Sequence, residues 1–212
     1  MNNADPKQIN TGPPIRPEQM ADCLTLPDRW CALKYMPRNA VTAEVGVAYG
    51  GFSRVILKEL SPKKFYAVDV FSIKPGEVEF WGEDRLLRAN MTHYEYYRKN
   101  FEKEIAAGKV EMRQGLSFDE LWKFDDNYFD YVYLDAGHDY ESVRKDILAL
   151  EHKVKHNGFI QFNDYIPYSY LEGYPYGVVQ AVNEFLRRGK HMVKYYCLHP
   201  YGYDDIVVQI VK

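Results

Sequence analysis

Short apolar runs alternate along this chain with longer segments whose apolar residues recur at helical spacing. Runs of β-branched and aromatic residues predict strands, and apolar residues three or four positions apart predict helices. The predicted strands are residues 41–47, 65–71, 110–113, 131–134, 159–162, 192–198 and 206–211. The predicted helices are residues 22–36, 52–60, 91–107, 118–124, 143–154 and 178–186. Alternation of the two kinds of element from residue 40 onward predicts a parallel sheet with helices on both faces.

The last two predicted strands, residues 192–198 and 206–211, are joined by a short turn at residues 200–202. Strands joined so closely must pair antiparallel, whereas strands separated by a helix can pair in parallel. The pattern therefore predicts an α/β domain with a mostly parallel seven-stranded sheet and a C-terminal antiparallel hairpin.

Two segments interrupt this regular pattern. Residues 1–18 carry four prolines among polar residues, which predicts a flexible arm without a core of its own. Residues 72–90 form a long connection that carries Phe80 and Trp81, and long loops at this edge of a sheet are typical of lids. The remaining length suits one domain, over residues 19–212, with a lid-like insertion.

Composition narrows the choice of partners. The net charge is −3 and the basic residues form pairs rather than runs, which gives no reason to expect nucleic acid. The start has no signal pattern, and no apolar stretch reaches the roughly 20 residues of a membrane-spanning helix. Cys23, Cys31 and Cys197 include no CxxC pair, which predicts reduced thiols and no zinc site. We expect a cytoplasmic protein acting on a small molecule, away from membranes.

A glycine-rich turn follows the first predicted strand. Glu44, Gly46, Gly50 and Gly51 form the spacing E-x-G-x-x-x-G-G, which differs from the G-x-G-x-x-G of dinucleotide enzymes. Glycines there let the backbone approach a ligand closely, although such a turn can also be purely structural. An acid before the first glycine suits a ligand with a positive group. S-adenosylmethionine, which has an ammonium and a sulfonium but no pyrophosphate, fits this description.

Two more residues fit an adenosine-containing cofactor. Asp69 ends the second predicted strand, where a carboxylate can accept both ribose hydroxyls. Ser117 follows the third predicted strand, where an adenine would lie. Ser117 is also a candidate N-cap for the helix that begins near residue 118, and the two roles are compatible.

Polar side chains also end the fourth and fifth predicted strands. Asp135 follows one of them, and Asn163 and Asp164 follow the other. The carboxyl ends of parallel strands open on one crevice, so these side chains can converge. Oxygen ligands of this kind suit Mg²⁺, Mn²⁺ or Ca²⁺ better than zinc. The alternative is that the two aspartates only cap the helices that follow.

His138 lies on the same loop as Asp135 and is a candidate general base, since imidazole takes up a proton near neutral pH. A lone histidine can equally be structural. The tyrosine-rich residues 165–176, together with Trp81, predict aromatic walls for a sugar ring or a flat acceptor, or alternatively a packed loop.

With these residues in place, residues 40–190 resemble class I S-adenosylmethionine-dependent methyltransferases. Among them, the chain is similar to the metal-dependent sugar O-methyltransferases typified by the macrocin and mycinamicin enzymes. The resemblance rests on the D-x-x-H from Asp135 to His138, the helix start at residues 140–146 and the pair at residues 163–164.

The resemblance implies a Rossmann-like three-layer fold, S-adenosylmethionine as cofactor, magnesium, and methylation of a hydroxyl in a sugar or sugar-containing small molecule. In such enzymes the corresponding residues divide into three groups. The cofactor contacts would be Glu44, Gly46, Gly50 and Asp69, the metal ligands Asp135, Asn163 and Asp164, and the general base His138.

Two departures leave the acceptor open. Asn163 stands where the sugar enzymes usually carry a second acid, and the serine expected after the glycines is displaced to Ser53. A catechol-like or other small-molecule acceptor is therefore an alternative. A nicotinamide-dependent oxidoreductase is disfavoured by the missing G-x-G-x-x-G, and an inactive cofactor-binding protein is a third possibility. The N-terminal arm could join copies of the chain into a homo-oligomer.

Overall fold

The computed structural model describes residues 9–75 and 85–212. Its strands are β1 (Leu24–Leu26), β2 (Val41–Val45), β3 (Lys64–Asp69), β4 (Val110–Gln114), β5 (Phe129–Leu134), β6 (Val154–Phe162), β7 (Tyr168–Ser169), β8 (Tyr174–Pro175), β9 (Met192–Cys197) and β10 (Asp205–Gln209). Its α-helices are α1 (Arg29–Ala32), α2 (Gly51–Leu60), α3 (Arg85–Ala89), α4 (His93–Asn100), α5 (Glu102–Ala106), α6 (Ser117–Leu121), α7 (Tyr140–Lys153) and α8 (Val178–Arg188). Short 3₁₀ turns lie at Pro17–Met20 and Leu33–Tyr35.

The main sheet has the strand order β1-β9-β10-β6-β5-β2-β3-β4. Strand β10 pairs antiparallel with both β6 and β9, and the other pairs are parallel. The Rossmann-like α/β fold and the C-terminal antiparallel hairpin are therefore confirmed. The sheet has eight strands rather than the predicted seven, and β7 and β8 form a separate two-stranded hairpin.

The eighth strand comes from residues 22–36, which were predicted as one helix. The segment instead forms β1, the short helix α1 and a 3₁₀ turn. Pro27 lacks an N–H and disfavours helical geometry in the residue before it, so a helix cannot run through this position. Asp28 then caps α1 by accepting a hydrogen bond from the Cys31 amide at 2.7 Å. Strand β1 lies parallel to β9, with Leu24 opposite Tyr195.

Two further boundaries differ from prediction. The single helix predicted over residues 91–107 is divided into α4 and α5 at Phe101, whose φ of −120° and ψ of 23° are not helical. Gly108, with a φ of +70°, ends α5 as predicted. Helix α7 begins at Tyr140 rather than at the predicted residue 143, and it ends at Lys153 because β6 already begins at residue 154.

The sheet separates two hydrophobic cores. On one face it packs against α6, α7 and α8, whose Ile147 and Phe185 are almost fully buried. On the other face it packs against α1, α2 and α4, whose Ile56 and Tyr97 are fully buried. This arrangement gives the three layers and fixes the carboxyl ends of the central strands side by side.

The two segments predicted to lie outside the core fall partly outside the described residues. Residues 9–18 run beside α8, where Asn183 donates to the carbonyl of Thr11 at 2.9 Å and Arg16 donates to the carbonyl of Gly189 at 2.6 Å. The predicted lid and its Phe80 and Trp81 lie mostly outside the described residues. Within the described ranges, no helix has the length and apolarity needed to cross a membrane.

Candidate active site

The glycine-rich turn lies between β2 and α2, against the loop that follows β5. Gly46 has a φ of +85°, and a Cβ placed there would lie 1.9 Å from the carbonyl oxygen of Asp135. Gly50 has a φ of +76°, and its Cβ would meet the Phe101 ring at 2.4 Å. A Cβ on Gly51 would meet no atom of the described residues within 4 Å. Two of the glycines are therefore required by the backbone, and the third leaves a free surface.

Glu44 lies beneath this turn and is 2% exposed. Its carboxylate accepts a hydrogen bond from the Ser53 hydroxyl, which in turn accepts one from the Tyr97 hydroxyl at 2.9 Å. Burial raises the pKa of Glu44 well above its ordinary value, and the hydrogen bond from Ser53 opposes this shift. Glu44 thus connects β2 to the first turn of α2. Tyr97, 53 residues away in sequence, was missed by sequence reasoning.

Asp69 connects the same turn to the end of β3. Its Oδ2 accepts from the Val47 amide at 2.8 Å, and its Oδ1 accepts from the Phe71 amide at 2.7 Å. Each carboxylate oxygen can accept a second hydrogen bond. Asp69 is only partly buried, so its position at the strand end is compatible with the predicted ribose contact.

Ser117 lies near Asp69, because the Gly115 amide donates to the Asp69 carbonyl at 3.0 Å. Its hydroxyl donates to Asp146 Oδ2 at 2.9 Å. The N-cap of α6 is Leu116, without a side-chain cap, so Ser117 is not the N-cap. Burial raises the pKa of Asp146 to about 7, against the hydrogen bond from Ser117.

The predicted polar residues after β5 and β6 converge on one crevice. These two strands pair in parallel with Leu134 opposite Phe162, which places Asp135 beside Asn163. The Asn163 amide nitrogen donates to Asp135 Oδ1 at 2.6 Å. His138 Nε2 lies 3.6 Å from Asp135 Oδ1 and 3.7 Å from Asp164 Oδ2. Since Gly46 contacts Asp135, this crevice adjoins the glycine-rich turn.

Both the ring and the backbone of His138 are held by the residues that precede α8. It stacks on Tyr176 with ring centroids 4.5 Å apart and planes 12° apart. The backbone carbonyl of His138 accepts from the Gly177 amide at 2.7 Å. Burial opposes protonation of the ring, but the carboxylates of Asp135 and Asp164 outweigh it and raise the pKa of His138 above its ordinary value.

Arg29 also reaches this crevice, and nothing in the sequence pattern of its segment indicated this. Its guanidinium donates to Asn163 Oδ1 at 2.5 Å and to the Tyr133 hydroxyl at 3.0 Å. It also lies 3.2 Å from a carboxylate oxygen of Asp205 and 3.5 Å from one of Asp164. Arg29, from the first 30 residues, therefore faces two acids from distant parts of the chain, Asp164 after β6 and Asp205 at the start of β10.

The same contacts test whether magnesium fits. Asn163 Oδ1 accepts from Arg29 and from the Tyr133 hydroxyl, at 2.5 and 3.0 Å. Arginine can only donate, so the amide oxygen must face it and the amide nitrogen must face Asp135. A nitrogen that donates a hydrogen bond is no Mg²⁺ ligand. Among the described residues, no group of three or more His, Cys, Asp or Glu side chains is arranged to hold a metal ion. The predicted set of Asp135, Asn163 and Asp164 does not fit a magnesium ion as these side chains lie.

Residues 43–165, which include the glycine-rich turn, both strand ends and His138, match a family model described as a methyltransferase domain. The chain belongs to this family. It is an S-adenosylmethionine-dependent methyltransferase, and the nicotinamide-dependent oxidoreductase that the sequence left as an alternative is not supported. Comparison with curated proteins gave no match.

Solved structures of other methyltransferases share the fold. A putative rRNA methylase from Clostridium thermocellum aligns with a TM-score of 0.62 at 12% identity, over 89% of this chain and 99% of that chain. An O-methyltransferase from Bacillus cereus in complex with SAH aligns with a TM-score of 0.57 at 16% identity, over 86% and 78% of the two chains. A tRNA methyltransferase from B. subtilis aligns with a TM-score of 0.57 at 13% identity, over 88% and 67%. At these identities the likeness concerns the fold alone.

Proposed function

We propose that this methyltransferase transfers the methyl group of S-adenosylmethionine to a hydroxyl of a sugar or sugar-containing small molecule, with His138 as the general base. The observation that carries the proposal is the position of His138 Nε2 between two carboxylates, at 3.6 and 3.7 Å. This nitrogen is buried and has no hydrogen-bond partner among the described residues. A buried nitrogen of this kind, beside the glycine-rich turn, suits the acceptance of a proton from a bound hydroxyl.

The reaction would proceed by displacement at the methyl carbon. A lone pair of the acceptor oxygen forms the new carbon–oxygen bond, while the carbon–sulfur bond breaks and its electron pair stays on the sulfur. The hydroxyl proton passes to His138 Nε2. The products are a methyl ether, S-adenosylhomocysteine and a protonated His138, whose charge Asp135 and Asp164 stabilise. Holding the hydroxyl and the methyl group in line would supply much of the rate.

The predicted cofactor contacts belong to this proposal. Gly46 and Gly50 shape the turn, and the open side of Gly51 leaves room for the methionine part of the cofactor. Asp69 would accept hydrogen bonds from the ribose hydroxyls. The Ser117 loop, which is tied to the Asp69 carbonyl through Gly115, would adjoin the adenine. Glu44, whose carboxyl group accepts from Ser53, would act mainly by holding the turn in place, because it is almost fully buried.

The sugar acceptor is supported by the tyrosines near His138. Tyr176 packs on the His138 ring, and the hairpin before it exposes Tyr170 (81%) and Tyr174 (44%). Aromatic faces beside a polar crevice can bind the apolar face of a sugar ring. A catechol-like acceptor would use the same faces, and it remains the alternative.

The reaction proposed here uses no magnesium ion, because the ligand set predicted from the sequence does not fit one as its side chains lie. The orientation of Asn163 is the reason, because its amide oxygen already accepts from Arg29.

A methyl-transfer assay tests the proposal. The full chain is incubated with S-adenosylmethionine labelled on the methyl carbon and with panels of sugars, glycosylated small molecules and catechols. We expect labelled product from at least one sugar-containing acceptor, with S-adenosylhomocysteine formed in equal amount. Transfer to catechols alone would replace the sugar by the aromatic alternative. Binding of S-adenosylhomocysteine without transfer to any hydroxyl would contradict the O-methyltransferase proposal.

A further inference from the structure

We infer that the guanidinium of Arg29 takes the place of the divalent cation at this crevice, so that the carboxylates are neutralised by the chain itself. The inference deepens the proposed function, and its catalytic consequence rests on that function. The neutralisation of the carboxylates and the effect on metal binding do not depend on which acceptor is methylated.

The carboxylates at this crevice need a positive charge among them. Three carboxylates lie within reach of Arg29 or His138: those of Asp135, Asp164 and Asp205. The Asp205 side chain is fully buried and that of Asp164 is 14% exposed. Carboxylates gathered at such burial repel one another unless cations lie among them. Arg29, itself only 16% exposed, is the permanently cationic group that the described residues bring to them, and His138 adds a positive charge once it has taken up a proton.

The oxygen atoms of two predicted metal ligands face Arg29. Asn163 Oδ1 and Asp164 Oδ1, from two of the three predicted metal ligands, both face the guanidinium, at 2.5 and 3.5 Å. A magnesium ion would need such oxygens at about 2.1 Å and in octahedral directions. Oxygen atoms that already accept from a fixed guanidinium are not free for that geometry.

Arg29 is anchored through both its backbone and its guanidinium. Strand β1, just before it, pairs with β9, and the Leu198 amide donates to the Leu26 carbonyl at 2.9 Å. Asp28 caps α1, so the backbone of Arg29 is fixed at the first position of a helix. The guanidinium also donates to the Tyr203 carbonyl at 3.0 Å. A cation held at both its backbone and its head group is part of the folded site.

The catalytic consequence follows from the difference between an arginine and a metal ion. A metal lowers the pKa of a bound hydroxyl by direct coordination, whereas a guanidinium stays protonated, donates hydrogen bonds and neutralises charge. Arg29 is therefore a positioning residue: it fixes Asn163 and Asp164, which in turn flank Asp135 and His138. Proton removal then falls to His138.

Manganese binding to the full-length protein tests the inference without any acceptor. The free Mn²⁺ signal in electron paramagnetic resonance is followed during titration of the wild type, R29K, R29A and R29A combined with D164N. We expect no uptake by the wild type or R29K, because a cation of the chain fills the position. We expect R29A to bind Mn²⁺ at least tenfold more tightly than the wild type, and the added D164N to abolish this binding.

Two results would overturn the inference. One is stoichiometric Mn²⁺ binding by the wild type that D135N removes. The other is a folded R29A, with a cooperative thermal transition, that takes up no more Mn²⁺ than the wild type. If R29A does not fold, the wild type and D135N still decide the matter. Absence of methyl transfer under every condition would count against the proposed function but would leave these binding results unchanged.

Discussion

The candidate site has two halves, and the acids in them have different partners. The cofactor half is the glycine-rich turn with the end of β3, and the acceptor half is the crevice after β5 and β6. In the cofactor half, Glu44 and Asp69 accept hydrogen bonds from neutral groups, a hydroxyl and two backbone amides. In the acceptor half, Asp164 lies beside the guanidinium of Arg29, and the ring of His138 lies between Asp164 and Asp135. Neutral partners fix an acid without adding positive charge, which suits a cofactor that itself carries positive charge. A cationic partner compensates the charge of a carboxylate, which suits an uncharged acceptor and a proton that must move.

The largest expected effect concerns the acceptor half. His138→Ala removes the nitrogen proposed to take the proton, and the loss of a general base typically lowers rates by about 10² to 10⁴-fold. We expect kcat for methyl transfer to fall by that factor, while the Kd for S-adenosylhomocysteine in calorimetry stays within about twofold. If the two halves have separate roles, a substitution in the acceptor half lowers turnover without weakening cofactor binding.

His156→Ala is the matched control, because His156 is exposed and its ring accepts from the Lys212 amide at 3.1 Å. It should leave both kcat and Kd unchanged. Retention of most of kcat by His138→Ala would remove His138 from the mechanism.

The next effect concerns the cofactor half. Gly46→Ala places a Cβ at 1.9 Å from the Asp135 carbonyl oxygen, at a φ of +85°. The backbone conformation alone costs about 1–3 kcal/mol for a non-glycine residue, and the clash adds to it. We expect a large fall in thermal stability and loss of S-adenosylhomocysteine binding, measured by differential scanning fluorimetry.

Gly51→Ala is the contrasting variant, since Gly51 is the first residue of α2 and an added Cβ would meet none of the described residues within 4 Å. Its stability should be unchanged or raised, by up to about 1 kcal/mol. If Gly51 adjoins the cofactor as proposed, the Kd for S-adenosylhomocysteine should nevertheless rise. Equal stability of Gly46→Ala and the wild type would show that the turn tolerates a side chain.

The smallest expected effect is a change in how stability depends on pH. Burial raises the pKa of Asp146 to about 7, above the value of about 3.9 for an unfolded aspartate. The folded state therefore binds this proton more strongly, and the contribution of Asp146 to stability falls as the pH rises between these values. Asp146→Asn removes the titration but can still accept from Ser117.

We expect the variant to gain roughly 1–2 kcal/mol relative to the wild type between pH 5 and pH 7, in urea denaturation at each pH. Any constant cost of the substitution cancels in this slope. Ser117→Ala removes the hydrogen bond that lowers the pKa of Asp146, so it should steepen the decline of stability with pH. Parallel curves for the wild type and Asp146→Asn would contradict the buried titration.

The residues of both halves that follow strand ends could be predicted from the sequence. Glu44, Gly46 and Asp69 lie close together in the chain, at strand ends, so a local pattern located them. Asp135 and Asp164 follow neighbouring parallel strands, and their convergence follows from the topology. Helix boundaries were less predictable, since the break at Phe101 depends on its tertiary environment rather than on the residues around it.

Arg29 could not be predicted in this way. Its contacts with Asn163 and Asp205 join residues more than 130 positions apart, and they depend on β1, which was predicted as part of a helix. A three-residue strand gives too little alternation to distinguish it from the first turn of a helix. The orientation of the Asn163 amide, and with it the fit of a metal, depends on Arg29 and was equally inaccessible.

Strand β1 has a practical consequence for where this domain should be cut. The segment that matches the family, residues 43–165, contains the glycine-rich turn and both acid-bearing strand ends, and it would look like a sensible minimal fragment. A boundary set there, or anywhere after Leu26, discards the strand that anchors Arg29. Such a fragment would retain Asp135 and Asp164 without their guanidinium partner. Effects of chelators or added metals on it would then result from the loss of Arg29 and would not describe the intact enzyme.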